Sequence, residues 1–543
     1  MNDKPEVEAA ARHVPAEWHP EIELKLSASP GVLAALVNVP PLVFASGSNK
    51  PSRQLESTYF DTRDRALRKA GITLRVRHVG GTYTQTIKIK DPVHGAHARL
   101  ERDDPVDGPR PRPALLHDAF GQDLSWIGDD DLKPLFTSRI ERRAMMLTTG
   151  SAEQASQIEI AFDRGVVTAG RKSEPVCEME LELEDGSVAD LYDLALTLHR
   201  LQTLVIEVRS KSQRGFTLAE GMAPSWHKST PLDLTPKTTL DQAIGQVMSQ
   251  CFDHWMSNQA AAFDGSDREG VHQMRISLRR LRAAFDFFEP WLPEGQTAWF
   301  RGEVKWLGKQ LGTARDLDVL GADTLAPVMQ ARPCDKALIR LDGLVTRRGA
   351  AAYARLARAL ASPRYTGLVL TLGQWIAARG WKHRDREAMA HSLTQAVRVA
   401  LDSAHGQVQE SGRDFESLTM AQRHGLRLDV KRLRYAMQFV GSAYGGSAAY
   451  LKALSDLQDA LGAANDAVQA EAQLDTCIRY SATGKERRRL GRAGGIVTGW
   501  WLAQGPRQEQ EARECWQRYF ALEPFWRNKP PKLRVVKKKT SKP

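Results

Sequence analysis

Apolar and charged residues alternate in a series of short segments over the first two hundred positions of the chain. In residues 20–26 the alternation predicts a β-strand with two different faces. One face is apolar, and the other carries Glu21, Glu23 and Lys25. An ordinary sheet strand with one face in water has the same pattern. This segment alone therefore leaves open both a solvated face and a functional one.

Similar segments follow and predict a sheet. Strands are predicted at residues 56–61, 72–77, 83–90, 137–148, 156–163, 176–184 and 203–210, with one more after Gly95. The pair Gly80 and Gly81 predicts a hairpin turn. Residues 105–135 are Pro-rich and then weakly helical, so they are predicted to leave the sheet. Helices are predicted at residues 31–39 and 188–201.

The charged faces of these strands are sorted by sign. Glutamate occurs in three of the strands, at residues 20–26, 156–163 and 176–184, whereas four or five of the others carry arginine and lysine. If eight such strands closed with their charged faces inward, they would form a polar tunnel for one small ligand. Carboxylates on one wall suit Mg²⁺ or Mn²⁺, and cations on the other walls suit phosphate oxygens. A metal between them can polarise a phosphoryl group for in-line attack by hydroxide, so the pattern favours a polyphosphate-like substrate.

The sequence Glu21-Ile22-Glu23-Leu24-Lys25 resembles the ExExK signature of the CYTH domain, the family of triphosphate tunnel metalloenzymes. The resemblance continues in order through YFDT at 59–62, LRVR at 74–77, TIKIK at 86–90, IEIAFD at 158–163, CEMELE at 177–182 and SKSQRGF at 210–216. It implies an eight-stranded antiparallel β tunnel that cleaves the terminal phosphate of triphosphate compounds with a divalent metal.

The resemblance also implies site residues. Glu21, Glu23 and Lys25 would be catalytic, and the metal ligands would be Glu21, Glu23, Glu180 and Glu182, with Glu159 and Asp163 nearby. Phosphate would be held by Lys25, Arg75, Arg77, Lys88, Lys90, Arg142, Lys211 and Arg214. Arg139 lies three positions before Arg142, so only one of the two can face into a regular tunnel. Glu178 and Glu184 extend the acidic row, and we expect both to be solvated at strand ends.

The same family includes adenylate cyclases and thiamine triphosphatases. Thiamine would need an aromatic clamp at the tunnel mouth, for which Trp18 and Trp126 are candidates, although tryptophans in loops more often anchor packing. The sequence shows no identifiable adenine site. Inorganic triphosphate is the smallest substrate that fits, and nucleoside or thiamine triphosphate stays open as an alternative.

The chain changes character after residues 221–238, a segment rich in Pro, Ser and Thr that predicts a linker. Long segments rich in Ala, Leu, Arg and Gln then follow with helical periodicity. One basic stripe occurs twice in this half: His272, Arg275, Arg279 and Arg282 recur as His424, Arg427, Lys431 and Arg434. Each copy runs beside an apolar stripe and is followed by a Leu-Gly segment, at residues 311–316 and 461–466.

A single stripe of this kind is usually a solvated basic face over a core. Two equivalent stripes can instead face each other across the pseudo-twofold axis of a bundle, where like charges repel unless a polyanion lies between them. Asp316, Asp318 and Asp466 could pair with these arginines or ligate calcium, and structural ion pairing is the expectation.

The two His-x-x-Arg-x-x-x-(Arg/Lys) helices and the two Leu-Gly-x-x-(Arg/Asn)-Asp segments resemble the CHAD domain, a conserved histidine α-helical domain, over about residues 240–520. The resemblance implies an all-helical, two-lobed bundle whose basic stripes bind long-chain inorganic polyphosphate. In the second copy Lys431 replaces Arg279 and Asn465 replaces Arg315, changes that should preserve binding. We expect the histidines to donate hydrogen bonds to phosphate, since neither helix has a second His or Cys at metal-ligand spacing.

The predicted fold is α+β with several domains, because 543 residues are too many for one core. We expect a disordered leader (1–19), a CYTH tunnel domain (20–220), the linker (221–238), a CHAD helical domain (239–525) and a basic, disordered tail (526–543). Five scattered cysteines predict reduced thiols and no zinc site. No segment has eighteen uninterrupted apolar residues and the N-terminus has no signal-peptide pattern, so we expect a cytoplasmic protein without a membrane partner, with polyphosphate granules as one place of association.

The net charge of +11 and the isoelectric point near 9.4 favour an anionic partner. The first hypothesis is an inorganic triphosphatase that uses Mg²⁺ or Mn²⁺ and has a polyphosphate-binding helical module. The second is a non-catalytic polyphosphate scaffold, against which the intact acidic strands argue. The third is a nucleic-acid binder, but the basic residues lack interleaved aromatics and match no nucleic-acid motif. No GxxxxGK(S/T) loop occurs, which excludes a P-loop NTPase, and the oligomeric state is left open.

Overall fold

A computed structural model describes residues 18–40, 42, 51–90, 98–120, 124–151, 154–382, 386–445, 447–479 and 484–527. The chain forms two compact units. The tunnel unit runs to Lys228 and adds two helical segments, Asp253–Met274 and Leu356–Arg379. The helical unit comprises Ser229–Phe252, Arg275–Arg355 and the chain from Gly380 onward. The predicted leader up to residue 17 and the predicted tail from residue 528 lie outside the described residues.

The described strands form one antiparallel sheet in the tunnel unit: β1 His19–Ser27, β2 Arg53–Asp61, β3 Thr73–Val79, β4 Thr82–Lys90, β5 Ala98–Val106, β6 Lys133–Ser151, β7 Gln154–Ala169, β8 Lys172–Asp185 and β9 Val205–Ile206. Their order is β5-β4-β3-β2-β6-β7-β8-β1-β9, and β5 also pairs with β1. The first eight strands therefore close into a ring, which confirms the predicted eight-stranded antiparallel tunnel. The two-residue β9 lies outside that ring, beside β1.

The predicted strand at residues 203–210 is shortened to β9, because a helix begins at its far end. Ser210 and Gln213 form a capping box: the Ser210 hydroxyl accepts from the Gln213 N–H at 3.2 Å, and the Gln213 amide oxygen accepts from the Ser210 N–H at 2.8 Å. These bonds satisfy backbone donors at the start of a helix and so end the extended conformation. Lys211 is consequently the first residue of that helix.

The tunnel sheet is accompanied by five helices: α1 Pro30–Leu36, α2 Ala66–Lys69, α3 Pro113–Phe120, α4 Val188–Leu201 and α5 Lys211–Glu220. The bounds of α4 are those predicted. The outer face of β3, β4 and β5 packs with α2 and α3 in one apolar cluster that includes Leu74, Val76 and Leu116. In β3, β4 and β5 the apolar residues thus face outward, and the charged residues face the tunnel.

Helix α5 packs against the inner face of β6–β8 through Phe216, whose ring lies 5.1 Å from that of Phe136. This close approach depends on the neighbouring glycine. A Cβ atom at Gly215 would come within 2.0 Å of the Phe136 ring, so any larger residue would push α5 away from β6. The glycine therefore fixes the position of Lys211 one turn earlier.

The described helices of the second half are α6 Leu240–Asp264, α7 Arg268–Phe287, α8 Glu294–Val319, α9 Ala326–Ala331, α10 Lys336–Leu360, α11 Pro363–Ala377, α12 Arg386–Ala390, α13 Leu393–Ala396, α14 Arg398–Ser411, α15 Met420–Val440, α16 Ala448–Arg479, α17 Gly484–Leu502 and α18 Gly505–Phe520. A π-helical turn, Leu320–Leu325, joins α8 to α9. The predicted all-helical character is confirmed. Within the described residues, no helix combines the length and apolar character that crossing a bilayer requires.

Two of these helices contribute side chains to the tunnel unit. The N–H of Ile206 in β9 donates to the Thr366 hydroxyl of α11 at 3.1 Å, and its carbonyl accepts from the Gln259 amide of α6 at 3.4 Å. Thr366 is fully buried and Gln259 nearly so. The backbone N–H after β9, that of Glu207, donates to the carbonyl of Lys25 at 2.9 Å. Helical side chains thus hold the short strand beside the strand that carries Lys25.

Candidate active site

The tunnel encloses a cavity of roughly 600 Å³ with a predominantly charged lining. Most of the predicted site residues lie around it: Glu21, Glu23, Lys25, Arg75, Arg77, Lys88, Arg142, Glu159, Glu180, Glu182 and Lys211. Asp163 and Arg214 do not line it and are buried in the tunnel wall. The side chain of Lys90 lies outside the described residues. Nearly all of these side chains therefore face one chamber.

One acidic cluster, here called the wall cluster, consists of Asp163, Glu178 and Glu180. Carboxylate oxygens of the three residues lie within 4.8 Å of one another. Lys211 contacts all three, at 2.6 Å, 2.7 Å and 2.8 Å respectively. Arg142 donates to Asp163 at 2.7 Å and 2.6 Å and also contacts Glu180. Burial alone raises the pKa of Glu180, but Lys211 and Arg142 outweigh it and hold that pKa well below its usual range.

The expectation that Glu178 is solvated is wrong. Its side chain is completely buried, where it accepts from Lys211 and contacts the Arg214 guanidinium. The reason is helix α5, whose first turn places both cations on the inner face of β8, a consequence of the capping box that periodicity did not reveal. Glu184, at the end of β8, is exposed as expected and lies at the edge of the cavity.

A second acidic cluster, here called the rim cluster, consists of Glu21, Glu23 and Glu182. Burial, followed by repulsion from Glu21 and Glu23, raises the pKa of Glu182 to about 8. Lys88 partly compensates this cluster by donating to both oxygens of Glu21, at 2.6 Å and 2.7 Å. Lys25 pairs with Glu23. Burial lowers the pKa of Lys25, but Glu23 and Glu180 outweigh it, so the net pKa is raised.

The opposite wall carries arginines and a tyrosine. Arg75 donates to Glu101 at 3.1 Å, whereas Arg77 has no carboxylate partner among the described residues and donates only to the Ser57 hydroxyl, at 3.3 Å. Burial, with repulsion from Arg75 and Arg142, lowers the pKa of Arg77 to about 10. Arg77 is therefore a cation inside the tunnel that an anionic ligand would stabilise.

Several lining residues were not predicted: His19, Tyr59, Arg99, Glu101, Asp103, Ser210 and Ser212. Tyr59 is the most enclosed of the aromatic candidates at 3% exposure, and its ring stacks on Phe136 at 4.5 Å. Burial raises the pKa of Tyr59, but Arg75 and Arg77 outweigh it, so the net pKa is lowered. The alternation in residues 56–61 could have placed it, since it shares parity with Ser57 on β2.

The structure shows which of Arg139 and Arg142 faces into the tunnel. Arg139 points away from the tunnel, 73% exposed, and pairs with Glu56 at 2.6 Å, while Arg142 lines the cavity. Only one of the two faces inward, as predicted.

Trp18 packs on Phe120 at 5.9 Å in the outer apolar cluster, and Trp126 is 49% exposed. Neither is among the described residues that line the cavity, so neither forms an aromatic clamp in it.

In the helical unit, the basic residues of α7 and α15 face each other. Lys431 is surrounded by Arg279 and Arg282 of α7 and by Arg427 and Arg434 of its own helix. Burial and these like charges lower the pKa of Lys431 to about 8. The stripes thus approach each other at Arg279 and Arg282 of α7 and at Arg427, Lys431 and Arg434 of α15. Of the two histidines, His424 is exposed and His272 is half-buried on its helix.

The duplicated Leu-Gly segments lie against the duplicated arginines. A Cβ atom at Gly312 would lie 4.0 Å from the Arg275 guanidinium, and one at Gly462 would lie 3.4 Å from that of Arg427. Both distances are ordinary van der Waals contacts, so each glycine lies directly beneath its arginine. Arg275 also pairs with Asp316 at 2.6 Å, as expected.

Asp318 accepts from the Tyr353 hydroxyl at 2.8 Å. The side chains of Asn465 and Asp466 lie outside the described residues.

Comparisons with known proteins agree with both resemblances. Residues 19–216 match the CYTH domain and residues 246–475 match the CHAD domain. The inorganic triphosphatase of Haemophilus influenzae is 32% identical over 202 residues, which are 36% of this chain and 54% of that protein. The chain thus spans about half the length of that relative.

A second relative aligns over more of the chain. An uncharacterized protein of Mycobacterium tuberculosis is 27% identical over 466 residues, 80% of this chain and 83% of that protein. The crystal structure of the CHAD domain from the plant Ricinus communis is 30% identical, with a TM-score of 0.48 over 55% of this chain and 98% of that one. From the two family matches we conclude that this chain carries a CYTH domain followed by a CHAD domain.

Proposed function

We propose that the tunnel is the active site of a metal-dependent triphosphatase that releases the terminal phosphate of inorganic triphosphate. Hydrolysis of a phosphoric anhydride is supported by the CYTH match and by the relative from Haemophilus influenzae. The observation that carries the proposal is the pairing inside the cavity, where Lys25 contacts Glu23 and Lys88 contacts Glu21. In each pair, a cationic side chain that can bind phosphate neutralises a carboxylate that can bind a metal.

A complex of triphosphate with a divalent metal can replace these pairs without leaving a buried charge unpaired. The metal takes the carboxylates, and the phosphate oxygens take the lysines and arginines. An anion without a metal would compensate only the cations of these pairs, and a metal without the anion only the carboxylates. The tunnel therefore favours a metal–polyphosphate complex over either component alone.

The rim cluster is the second candidate site for Mg²⁺ or Mn²⁺, although only the wall cluster has three described carboxylates gathered within 4.8 Å. Glu21, Glu23 and Glu182 supply the hard oxygen donors that these ions prefer, and a bound dication would relieve the repulsion that raises the pKa of Glu182. In the wall cluster, Lys211 and Arg142 already compensate the carboxylates, Asp163 included. We therefore assign the metal to the rim cluster. A bound dication would polarise the terminal phosphoryl group and lower the pKa of an attacking water.

The chain's own cations position the substrate. Arg77 offers a guanidinium without a carboxylate partner to the phosphoryl oxygens, and Lys25 stays protonated because its pKa is raised. Lys211 is held at three carboxylates by α5, so its ammonium group has a fixed position in the chamber. Such preorganised charge stabilises a phosphoryl-transfer transition state without reorganisation during the reaction.

Phosphate release tests this proposal. Tripolyphosphate, ATP, thiamine triphosphate and long-chain polyphosphate would each be incubated with Mg²⁺ or Mn²⁺. Glu23→Ala should lower turnover of tripolyphosphate by roughly 100-fold or more, whereas Glu56→Ala, on the outer face of β2, should leave it unchanged. Equal turnover in Glu23→Ala and the wild type would contradict the tunnel mechanism. Faster turnover of ATP or thiamine triphosphate would favour the alternative substrates.

We further propose that the facing stripes of α7 and α15 bind inorganic polyphosphate. The supporting observation is buried positive charge that lacks compensation: the Nε atoms of Arg279 and Arg427 have no hydrogen-bond partner among the described residues. Both are donors removed from water, a costly arrangement that phosphate oxygens would relieve. A chain of phosphates matches two parallel rows of cations better than an isolated anion does.

Filter binding of labelled polyphosphate tests this second proposal. The double variant Arg279→Gln plus Arg427→Gln should weaken binding by roughly 10-fold or more. The control is Arg432→Gln, which removes an exposed guanidinium from the opposite side of α15, where it pairs with Asp429. Equal loss in both proteins would show that net charge, and not the stripes, determines binding.

A further inference from the structure

A second cavity, of roughly 760 Å³, adjoins the catalytic one. The two share Arg77, Arg142 and Glu159 as lining residues. The second cavity continues along the same strands to Arg53 on β2 and Ala144 on β6, which have the same inward parity as Tyr59 and Arg142. It therefore lies inside the tunnel, beyond the arginines that bound the catalytic chamber.

Charge compensation changes from one cavity to the other. In the catalytic cavity the lysines and Arg142 have carboxylate partners, as described above. In the second cavity the charged lining consists of Arg53, Arg77 and Arg142 against the single carboxylate of Glu159. Arg53 and Arg77 have no ion pair within the described part of the chain. The second cavity is thus more cationic than the first.

The register adds to this excess. Arg53 and Arg142 lie directly opposite each other on β2 and β6. Like charges at such a pair of positions repel, and the guanidinium of Arg77, which lies inside the tunnel without an anionic partner, adds a further cost. An oxyanion among Arg53, Arg77 and Arg142 would remove both costs by charge-assisted hydrogen bonds. Arg142 already contacts Asp163 and Glu180, so the charge that lacks compensation in this cavity is mainly that of Arg53 and Arg77.

We propose that the second cavity is a further phosphate subsite, centred on Arg53 and Arg77, that adjoins the catalytic chamber. The assignment rests on the proposed triphosphatase activity for the origin of its ligand. Phosphate can reach the subsite as orthophosphate released from the chamber, or as an additional phosphoryl unit of a chain longer than triphosphate. Both sources present the same tetrahedral oxyanion chemistry, and kinetics separates them.

The test uses Arg53→Gln with Arg139→Gln as its matched control. Each removes one exposed guanidinium from neighbouring strands, on the inner and outer face respectively. If the subsite holds released orthophosphate, Arg53→Gln should raise the inhibition constant of orthophosphate by roughly three- to tenfold. If it holds an added unit, the variant should lower kcat/KM for tetrapolyphosphate relative to tripolyphosphate by the same factor. Absence of both effects, or equal effects in the control, would overturn the subsite.

Two further measurements keep the test decisive. Calorimetric titration of the protein with orthophosphate measures the affinity of the subsite without turnover. If the wild type proved inactive, the proposed triphosphatase would be refuted, and the subsite could still be tested in this way. Thr82→Trp, at the exposed start of β4, keeps every charge and fills part of the second cavity. It should weaken orthophosphate binding by a similar factor. Unchanged binding in both Thr82→Trp and Arg53→Gln would place phosphate elsewhere.

Discussion

Replacing Lys431 by arginine should change how polyphosphate binding depends on pH. Lys431 stands where the first copy of the repeat has Arg279, so Lys431→Arg makes the two stripes alike. Burial, followed by repulsion from Arg279 and Arg427, lowers the pKa of Lys431 from its ordinary value of 10.5 to about 8. That difference corresponds to roughly 3 kcal/mol against the protonated lysine, an upper limit because water reaches part of the side chain.

The direction of the pH effect follows from where the proton is held. In the free protein Lys431 loses its proton as pH rises through about 8. A bound polyanion favours the protonated amine, so above that pH binding must take up a proton. Affinity should therefore fall as pH rises from about 8 towards 10.5, by at most about tenfold per pH unit. Below this window the lysine is protonated in both states and contributes no pH dependence.

Folding stability should change in the opposite sense. In the unfolded chain the lysine keeps its proton up to its ordinary pKa of 10.5. Between pH 8 and 10.5 the unfolded state therefore binds more protons than the folded state, and the free energy of unfolding of the unliganded protein rises with pH. Lys431→Arg should lack this rise, because a guanidinium stays charged throughout the window.

Calorimetry can measure both effects. Polyphosphate would be titrated into the wild type and Lys431→Arg between about pH 7 and about pH 9.5, in two buffers that differ in ionisation enthalpy. Proton uptake on binding should be detectable only in the wild type and only at the alkaline end. Urea unfolding over the same range would measure the stability difference. If the affinities of the two proteins ran parallel across this range, the electrostatic account of the stripes would be refuted.

Three further predictions concern the tunnel unit and its metal. Glu178→Ala should lower the free energy of unfolding by roughly 3–5 kcal/mol in urea denaturation, since it leaves two buried cations without that partner, whereas Glu184→Ala at the exposed end of the strand should cost less than about 0.5 kcal/mol. Thr366→Val should cost roughly 1–3 kcal/mol in the same assay, because it leaves the buried N–H of β9 without an acceptor, while Thr366→Ser should restore most of the stability. Chelation of divalent metal should abolish phosphate release from tripolyphosphate yet preserve polyphosphate retention on filters. Lost retention would mean that metal bridges the stripes to the polyanion.

The closed sheet was predictable because strand geometry has only one simple period. Successive side chains alternate between faces, so the inward set follows from parity once one member is known. Arg139 and Arg142 show the strength of this rule, since their spacing alone required that one face outward. The helical repeat was predictable for a similar reason: the same residue types recur at one offset, and equivalent helices of a duplicated bundle bring them together.

Contacts between side chains that lie far apart in the sequence could not be predicted from periodicity. Glu178 continues the acidic row of β8 by parity, yet it is neutralised by a helix that begins more than thirty residues later in sequence. The motif YFDT gives another example. Asp61 faces neither the metal nor the substrate cavity, and its carboxylate accepts from the N–H groups of Thr62 at 2.7 Å and Leu67 at 3.0 Å. It orders the turn before α2, a structural role that the motif alone does not reveal.

The two units handle buried positive charge in different ways, and this difference has a consequence for their ligands. In the tunnel, carboxylates neutralise the lysines and most arginines, so an incoming phosphate gains little unless a metal occupies the carboxylates at the same time. In the helical unit, burial and four neighbouring arginines lower the pKa of Lys431, and Arg275 pairs with Asp316. A polyanion can bind there directly and gains the relief of that repulsion. Metal dependence should therefore belong to the tunnel, and salt dependence to the stripes, because repulsion among partly exposed cations is screened as ionic strength rises.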